Sequence, residues 1–239
     1  LFTRFRALPD EQMQHFEDYL MAGKPLMGMR TSTHAFNFSK DDITNFARYS
    51  NGYKGDQTEW IDGFGRLVLG EKWHTHHGHH KNQSTRGIIA NSATSHSITN
   101  GIISGEVWGP TDVYGVRLPL PGDSEPIILG QVINRKGDFD KNDLFFGMKP
   151  SDDELATKNN ENLIVNDVLM PIAWTKSYQI PGGKKGKAFT STIGAASDML
   201  NEGVRRLLVN GVFWAMEETV PEKANVDLIG KFDPSAYGF

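Results

Sequence analysis

The chain has 239 residues, 38% of them hydrophobic before its 25 glycines are counted, enough for a full α/β domain with a sizeable core. A net charge of -4 and a pI near 6.1 argue against a nucleic-acid partner or an anionic membrane surface, and no apolar run approaches the length that spans a bilayer. With no cysteine, thiol nucleophiles, disulfides and thiolate-held metals are excluded, while cytoplasmic, periplasmic and secreted compartments all stay open.

Leu1-Phe2-Thr3, followed by Arg4 and Phe5, reads as a strand end already under way, so one or more leading βα units are expected upstream. Pro9 to Ala22 reads as a helix: Pro9 suits its first turn, Asp10 and Glu11 complement the dipole, and Gly23 suits its stop. Met13, Phe16, Leu20 and Met21 supply the apolar stripe. Pro25 to Met29 is a short apolar run of the buried-strand kind, and it opens into Arg30-Thr31-Ser32-Thr33-His34-Ala35-Phe36. Polar groups just after a strand suit a ligand crevice, and a hydrogen-bonded Thr/Ser turn is the alternative. From Asn37 to Thr58 the chain is polar, a surface excursion, and Trp60 to Leu69 reads as a short helix.

The densest stretch is Trp73-His74-Thr75-His76-His77-Gly78-His79-His80, followed by Ser84-Thr85-Arg86-Gly87. Five of the eight histidines fall between positions 74 and 80, and imidazole both titrates near neutrality and ligates transition metals. In an extended segment His74 and His76 share one face and His77 and His79 the other, but a turn at Gly78 breaks that register. A functional cleft is expected, with a solvated histidine-rich loop as the alternative.

Gly87 to Ala90 is a candidate strand, and Ser95 to Gly101 reads as a turn and helix start. Val107 to Tyr114 sets Trp108 and Tyr114 beside Asp112, a mixture suited to sugar rings or, alternatively, to an aromatic core. Pro126 to Ile133 is the clearest β-type run, and Arg135 to Asn162 reads as a long polar insertion or lid. Asp138, Asp140 and Asp143 lack the spacing of a calcium loop. Val168 to Trp174 and Ala188 to Ile193 are the last strand candidates, joined by a turn at Gly182 to Gly186. A helix from about Asp198 to Met216 buries Leu200, Val204, Leu207, Leu208, Gly211 and Val212, and Val220 to Phe239 forms an extended tail.

Taken together, these stretches resemble the ThuA-like (trehalose utilisation) family of the class I glutamine amidotransferase-like superfamily, in the branch common in planctomycete-type bacteria. The resemblance rests on Gly28 to Phe36, Trp73 to Gly87, Trp108 to Tyr114, Pro171 to Lys176, Leu200 to Asn210 and Asp233 to Phe239. It implies one domain over residues 1–239 with an insertion at about 135–162, and a flavodoxin-like three-layer α/β/α sandwich with a mostly parallel sheet. True amidotransferases carry a cysteine nucleophile on the turn that matches Arg30 to His34, so thiol-dependent glutamine hydrolysis is excluded here.

The expected function is action on a disaccharide of the trehalose kind or an oxidised sugar derivative at a histidine-rich crevice. His34, His77 and His79 are the acid–base candidates, with Arg30 for an anionic oxygen and Asp112 as the carboxylate. Thr31, Ser32, Thr33, Arg86, Trp108 and Tyr114 are the candidate sugar contacts. If a metal binds, zinc or a similar ion is expected on His76, His77 and His79, with His34 as a further candidate. Asp112 would complete that set or orient a ring, and His74 and His80 would be spectators. A non-catalytic sugar-binding or interaction module of a larger secreted protein is the alternative. A serine hydrolase built on Ser32 or Thr31 with His34 is a third reading, but the Gly-x-Ser-x-Gly elbow is absent. A small carbohydrate is the expected partner, with no nucleic acid and no membrane, and a homo-oligomer is compatible with the sequence.

Overall fold

A computed structural model describes residues 1–237; Gly238 and Phe239, which end the last matching stretch, lie outside the described residues. In chain order the elements are helix α1 (Asp10–Met21), strands β1 (Leu26–Met29), β2 (Gln83–Ile89), β3 (Val107–Gly109), β4 (Glu125–Asn134), β5 (Met170–Tyr178) and β6 (Gly186–Ser191), and helix α2 (Glu202–Ala215). They fall into two compact units. One comprises Leu1–His74, Val116–Glu125 and Trp174–Thr190; the other comprises Thr75–Gly115, Pro126–Ala173 and Ser191–Phe239.

In the first unit α1 forms where its signals put it. Pro9 stands at the N-cap and Gly23, at φ 67°, takes the left-handed position just past the end. Met13 and Leu20 are the buried helix positions, each worth about 1.5–3 kcal/mol of transfer free energy. They join a core that includes Phe36, Tyr49, Phe64 and Leu69, and Phe16 meets Phe36 and Phe64 at ring separations of 5.4 and 5.5 Å. Strands β1, β6 and β5 lie side by side in that order. Trp174 Nε1 and Thr190 Oγ1 both donate to the Leu69 carbonyl, at 2.6 and 2.9 Å, which closes the π turn over Gly65–Leu69.

In the second unit β2 is central, antiparallel to β3 on one side and to β4 on the other, with Thr85 opposite both Gly109 and Val132. The β-branched run expected here is buried at Ile127, Ile128, Val132 and Ile133. Helix α2 starts at Glu202, later than its apolar pattern predicted, because Asn201 caps it by accepting from Val204 N at 2.9 Å. Segment 135–162 is irregular, and Asn166 ties it back: its side chain accepts from Val132 N and donates to the Val132 and Ala156 carbonyls, each at 2.8 Å.

The expected flavodoxin-like sandwich with a mostly parallel sheet is overturned. The strands are mixed and mostly antiparallel, and only α1 and α2 are α-helices of any length among the described residues. The physical reason lies in the connections. Parallel neighbours need a crossover of a dozen or more residues, usually helical. Here the neighbouring strands β5 and β6 are joined directly through residues 179–185, a Gly- and Lys-rich turn too short for a crossover. No helix among the described residues is long and apolar enough to cross a membrane.

Candidate functional site

The histidine segment does not run as an extended strand. His76 forms an antiparallel bridge with Tyr114, and the backbone amides of His77 and Gly78 both donate to the Val113 carbonyl, at 2.8 and 3.0 Å. After Gly78 the chain makes a hydrogen-bonded turn, with Gln83 N donating to His79 O at 2.9 Å and Lys81 left-handed at φ 62°. Gly78 packs closely: a Cβ there would stand 3.3 Å from the Asp112 Cβ and 3.2 Å from Val113 N, a tight fit. This path brings His76 and His80 to the same side as Asp112.

Asp112 is the hub. Only 1% of it is exposed. His76 Nδ1 lies 2.6 Å from its Oδ2 and His80 Nδ1 lies 2.9 Å from its Oδ1. Both are hydrogen-bond lengths, and an ionised carboxylate can only accept. Tyr114 packs edge-on to His76 at 5.7 Å and Tyr237 edge-on to His80 at 5.1 Å.

The loop that carries Asp112 is held from below by a second buried carboxylate. Asp198 accepts from Gly194 N at 2.9 Å, from Ala195 N at 2.8 Å and from Thr111 Oγ1 at 2.8 Å. Thr85 Oγ1 donates to the Thr111 carbonyl at 2.6 Å. Gly109 is needed beside it, since a Cβ there would overlap the Asp198 carboxylate.

The donor set is compatible with a divalent metal. His76, His80 and Asp112 each offer one ligand atom, all within 4.8 Å of one another. Nitrogen and oxygen ligands about 2.0–2.2 Å from one zinc-like ion stand roughly 3–3.5 Å apart. The contacts of 2.6 and 2.9 Å, made to the two separate oxygens, would therefore have to widen by up to about 0.9 and 0.6 Å, with imidazoles that are 32% and 22% exposed moving around a buried carboxylate. A cation on these atoms would replace the two hydrogen bonds.

The other candidates lie elsewhere in the two units. His77 Nε2 is buried without a hydrogen-bond partner among the described residues, and burial lowers the His77 pKa. His79 Nε2 lies 3.2 Å from Asn82 Nδ2, and burial, then Arg135, lowers its pKa. Trp108 is buried, its indole N–H donating to Ser84 Oγ at 3.3 Å, and the Arg86 guanidinium donates to the Asp152 carbonyl. In the first unit, Arg30, Thr31, Ser32, Thr33 and His34 form one 3-10 turn. Ser32 Oγ donates to the Leu1 carbonyl at 2.6 Å, and the hydroxyl beside His34 Nδ1 is that of Thr33, at 3.2 Å. The His34 ring stands 4.8 Å from Phe5 and 5.3 Å from Trp73.

Two participants escaped sequence reasoning. The sequence reads His80 as a spectator, and its meeting with His76 depends on the turn after Gly78 rather than on any regular spacing. Tyr237 carried no signal beyond its place in the tail. No family model, curated protein or solved structure matches the chain.

Proposed function

We propose that His76, His80 and Asp112 form a zinc-type divalent metal centre at which a hydroxylated small molecule of the carbohydrate class is bound and processed. The observation that carries the reading is one almost fully buried carboxylate engaging two imidazole nitrogens through its two separate oxygens. Buried charge without several strong partners is costly, so a constellation of this kind in a half-exposed position favours a working site over a structural contact. Held by these residues, such an ion would polarise a sugar oxygen or lower the pKa of a bound water. Asp112 would supply the carboxylate ligand and the two imidazoles the nitrogen ligands, with Tyr114 packed edge-on against His76. The carbohydrate class, a disaccharide of the trehalose kind or an oxidised derivative, is supported by the resemblance of the Trp73 to Gly87 and Trp108 to Tyr114 stretches to ThuA-like proteins.

Elemental analysis and zinc titration of tag-free protein test the centre, followed by titration with trehalose, other disaccharides and their keto forms. Stoichiometric zinc that vanishes in Asp112→Asn supports the reading. Less than about a tenth of an equivalent of metal, and no sugar binding or turnover, rejects it. One observation favours a second reading, a metal-free sugar-binding site: both histidine contacts already have hydrogen-bond lengths. Sugar binding without metal and without product would select it.

A further inference from the structure

We propose that Tyr237 is a positioning residue of this centre, tying the backbone next to Asp112 to the backbone next to His80 through one phenol oxygen. The Tyr237 hydroxyl donates to the Pro110 carbonyl at 2.7 Å and accepts from Lys81 N at 3.2 Å. Pro110 lies two residues before Asp112, and Lys81 directly follows His80. The same residue sets the ring: Tyr237 meets His80 at 5.1 Å and 87°, and is backed by Phe146 at 5.3 Å and 88°.

The backbone at Lys81 shows why such a tie matters. Lys81 has φ 62°, a left-handed conformation that a side-chain-bearing residue holds only when its surroundings over-determine it. Its amide is held by Tyr237, its carbonyl accepts from Arg135 Nη1 at 3.3 Å, and its ammonium lies 5.4 Å above the Phe146 ring. That left-handed turn directly follows His80, whose Nδ1 lies 2.9 Å from Asp112 Oδ1. The residues leading to Tyr237 contribute little packing of their own, with Ile229 fully exposed and Leu228 and Phe232 also exposed. The segment therefore reaches the site through the tyrosine.

This inference rests on reading His76, His80 and Asp112 as a centre, and its test separates the two. Tyr237→Phe, which keeps the ring, and Tyr237→Ala are prepared in the full chain. Zinc affinity is measured by chelator competition, thermal stability by calorimetry, and the histidine ring resonances by NMR in metal-free protein. Zinc binding is expected to weaken by about threefold to tenfold in Tyr237→Phe and by about 10–100-fold in Tyr237→Ala. The metal-free His80 ring resonances should move in both variants while those of His15 stay in place. Wild-type zinc affinity and unmoved His80 resonances in Tyr237→Ala would overturn the proposal. If the wild-type chain takes no zinc, the metal reading fails, and the His80 resonances alone decide whether Tyr237 positions the ring.

Discussion

Arg117 grips Glu71 with two parallel hydrogen bonds, Nε to Oε2 at 2.9 Å and Nη2 to Oε1 at 2.6 Å. The Glu71 side chain is 2% exposed and that of Arg117 is 43% exposed, so the two partners stand in unequal solvent. Glu71 also takes Arg66 Nη1 at 3.1 Å and the Lys72 amide at 2.9 Å, while Arg117 also reaches Asp62 at 2.7 Å. Bonding to Glu71 is the main reason the Arg117 pKa is raised. Removing the arginine side chain takes the bidentate charged partner from a buried carboxylate that keeps only Arg66 and two backbone amides, whereas neutralising the acid leaves an arginine that water and Asp62 still serve. Arg117→Ala should therefore cost about 2–3 kcal/mol and Glu71→Gln distinctly less. Urea unfolding of both variants checks the asymmetry, and equal losses would contradict it.

Asp112 is expected to govern metal uptake while the neighbouring histidines do not share the task equally. Asp112→Asn replaces one accepting oxygen by an amide donor aimed at an imidazole, so zinc affinity should fall by at least about 100-fold. His76→Ala and His80→Ala should each lose about as much. His77→Ala and His79→Ala should stay within about threefold of the wild type, because neither ring reaches the carboxylate cluster. Isothermal titration with zinc gives the comparison. A larger effect from His77 than from His80 would move the centre.

Acid sensitivity follows from three partly buried histidines. Burial holds the imidazoles of His74, His77 and His79 below their ordinary value of 6.5. A lowered folded-state pKa means that the unfolded chain binds more protons in that window. Their contribution is thus fully present above about pH 6.5 and is lost as pH falls from there through the folded-state values. The melting temperature should be level above about pH 7 and decline below about 6.5, and His77→Gln should make the decline shallower. Calorimetry across a pH series measures both slopes.

Asp198 should matter as much for stability as for the site. It is fully buried and receives the Gly194, Ala195 and Thr111 amides and the Thr111 hydroxyl, so Asp198→Ala leaves these four donors without that acceptor. A loss of about 3–5 kcal/mol is expected, with Asp198→Asn costing about half as much. Because Thr111 precedes Asp112, zinc affinity should drop in Asp198→Asn even while the chain remains folded. Denaturant titration paired with zinc competition reads the two effects separately.

Local order was legible in the residues alone, because it depends on neighbours a few positions away. The start of α1 at Pro9 and Asp10, its stop at Gly23 and the β-branched run of β4 all follow from interactions inside one segment. The histidine segment and Asp112 also stood out by composition. Strand partnership did not, since an apolar run such as Ile127 to Ile133 suits a parallel or an antiparallel neighbour equally. What decides is the connecting chain, and these connections are turns and coil rather than helical crossovers. Side-chain direction within the histidine segment was likewise beyond the sequence. It is set by the Val113 carbonyl receiving two amides and by Lys81 turning left-handed, contacts with residues distant in the chain. The residue types thus determined which chemistry was on offer, and long-range hydrogen bonding decided that His76 and His80, held 2.6 and 2.9 Å from one buried carboxylate, are the pair that meets it.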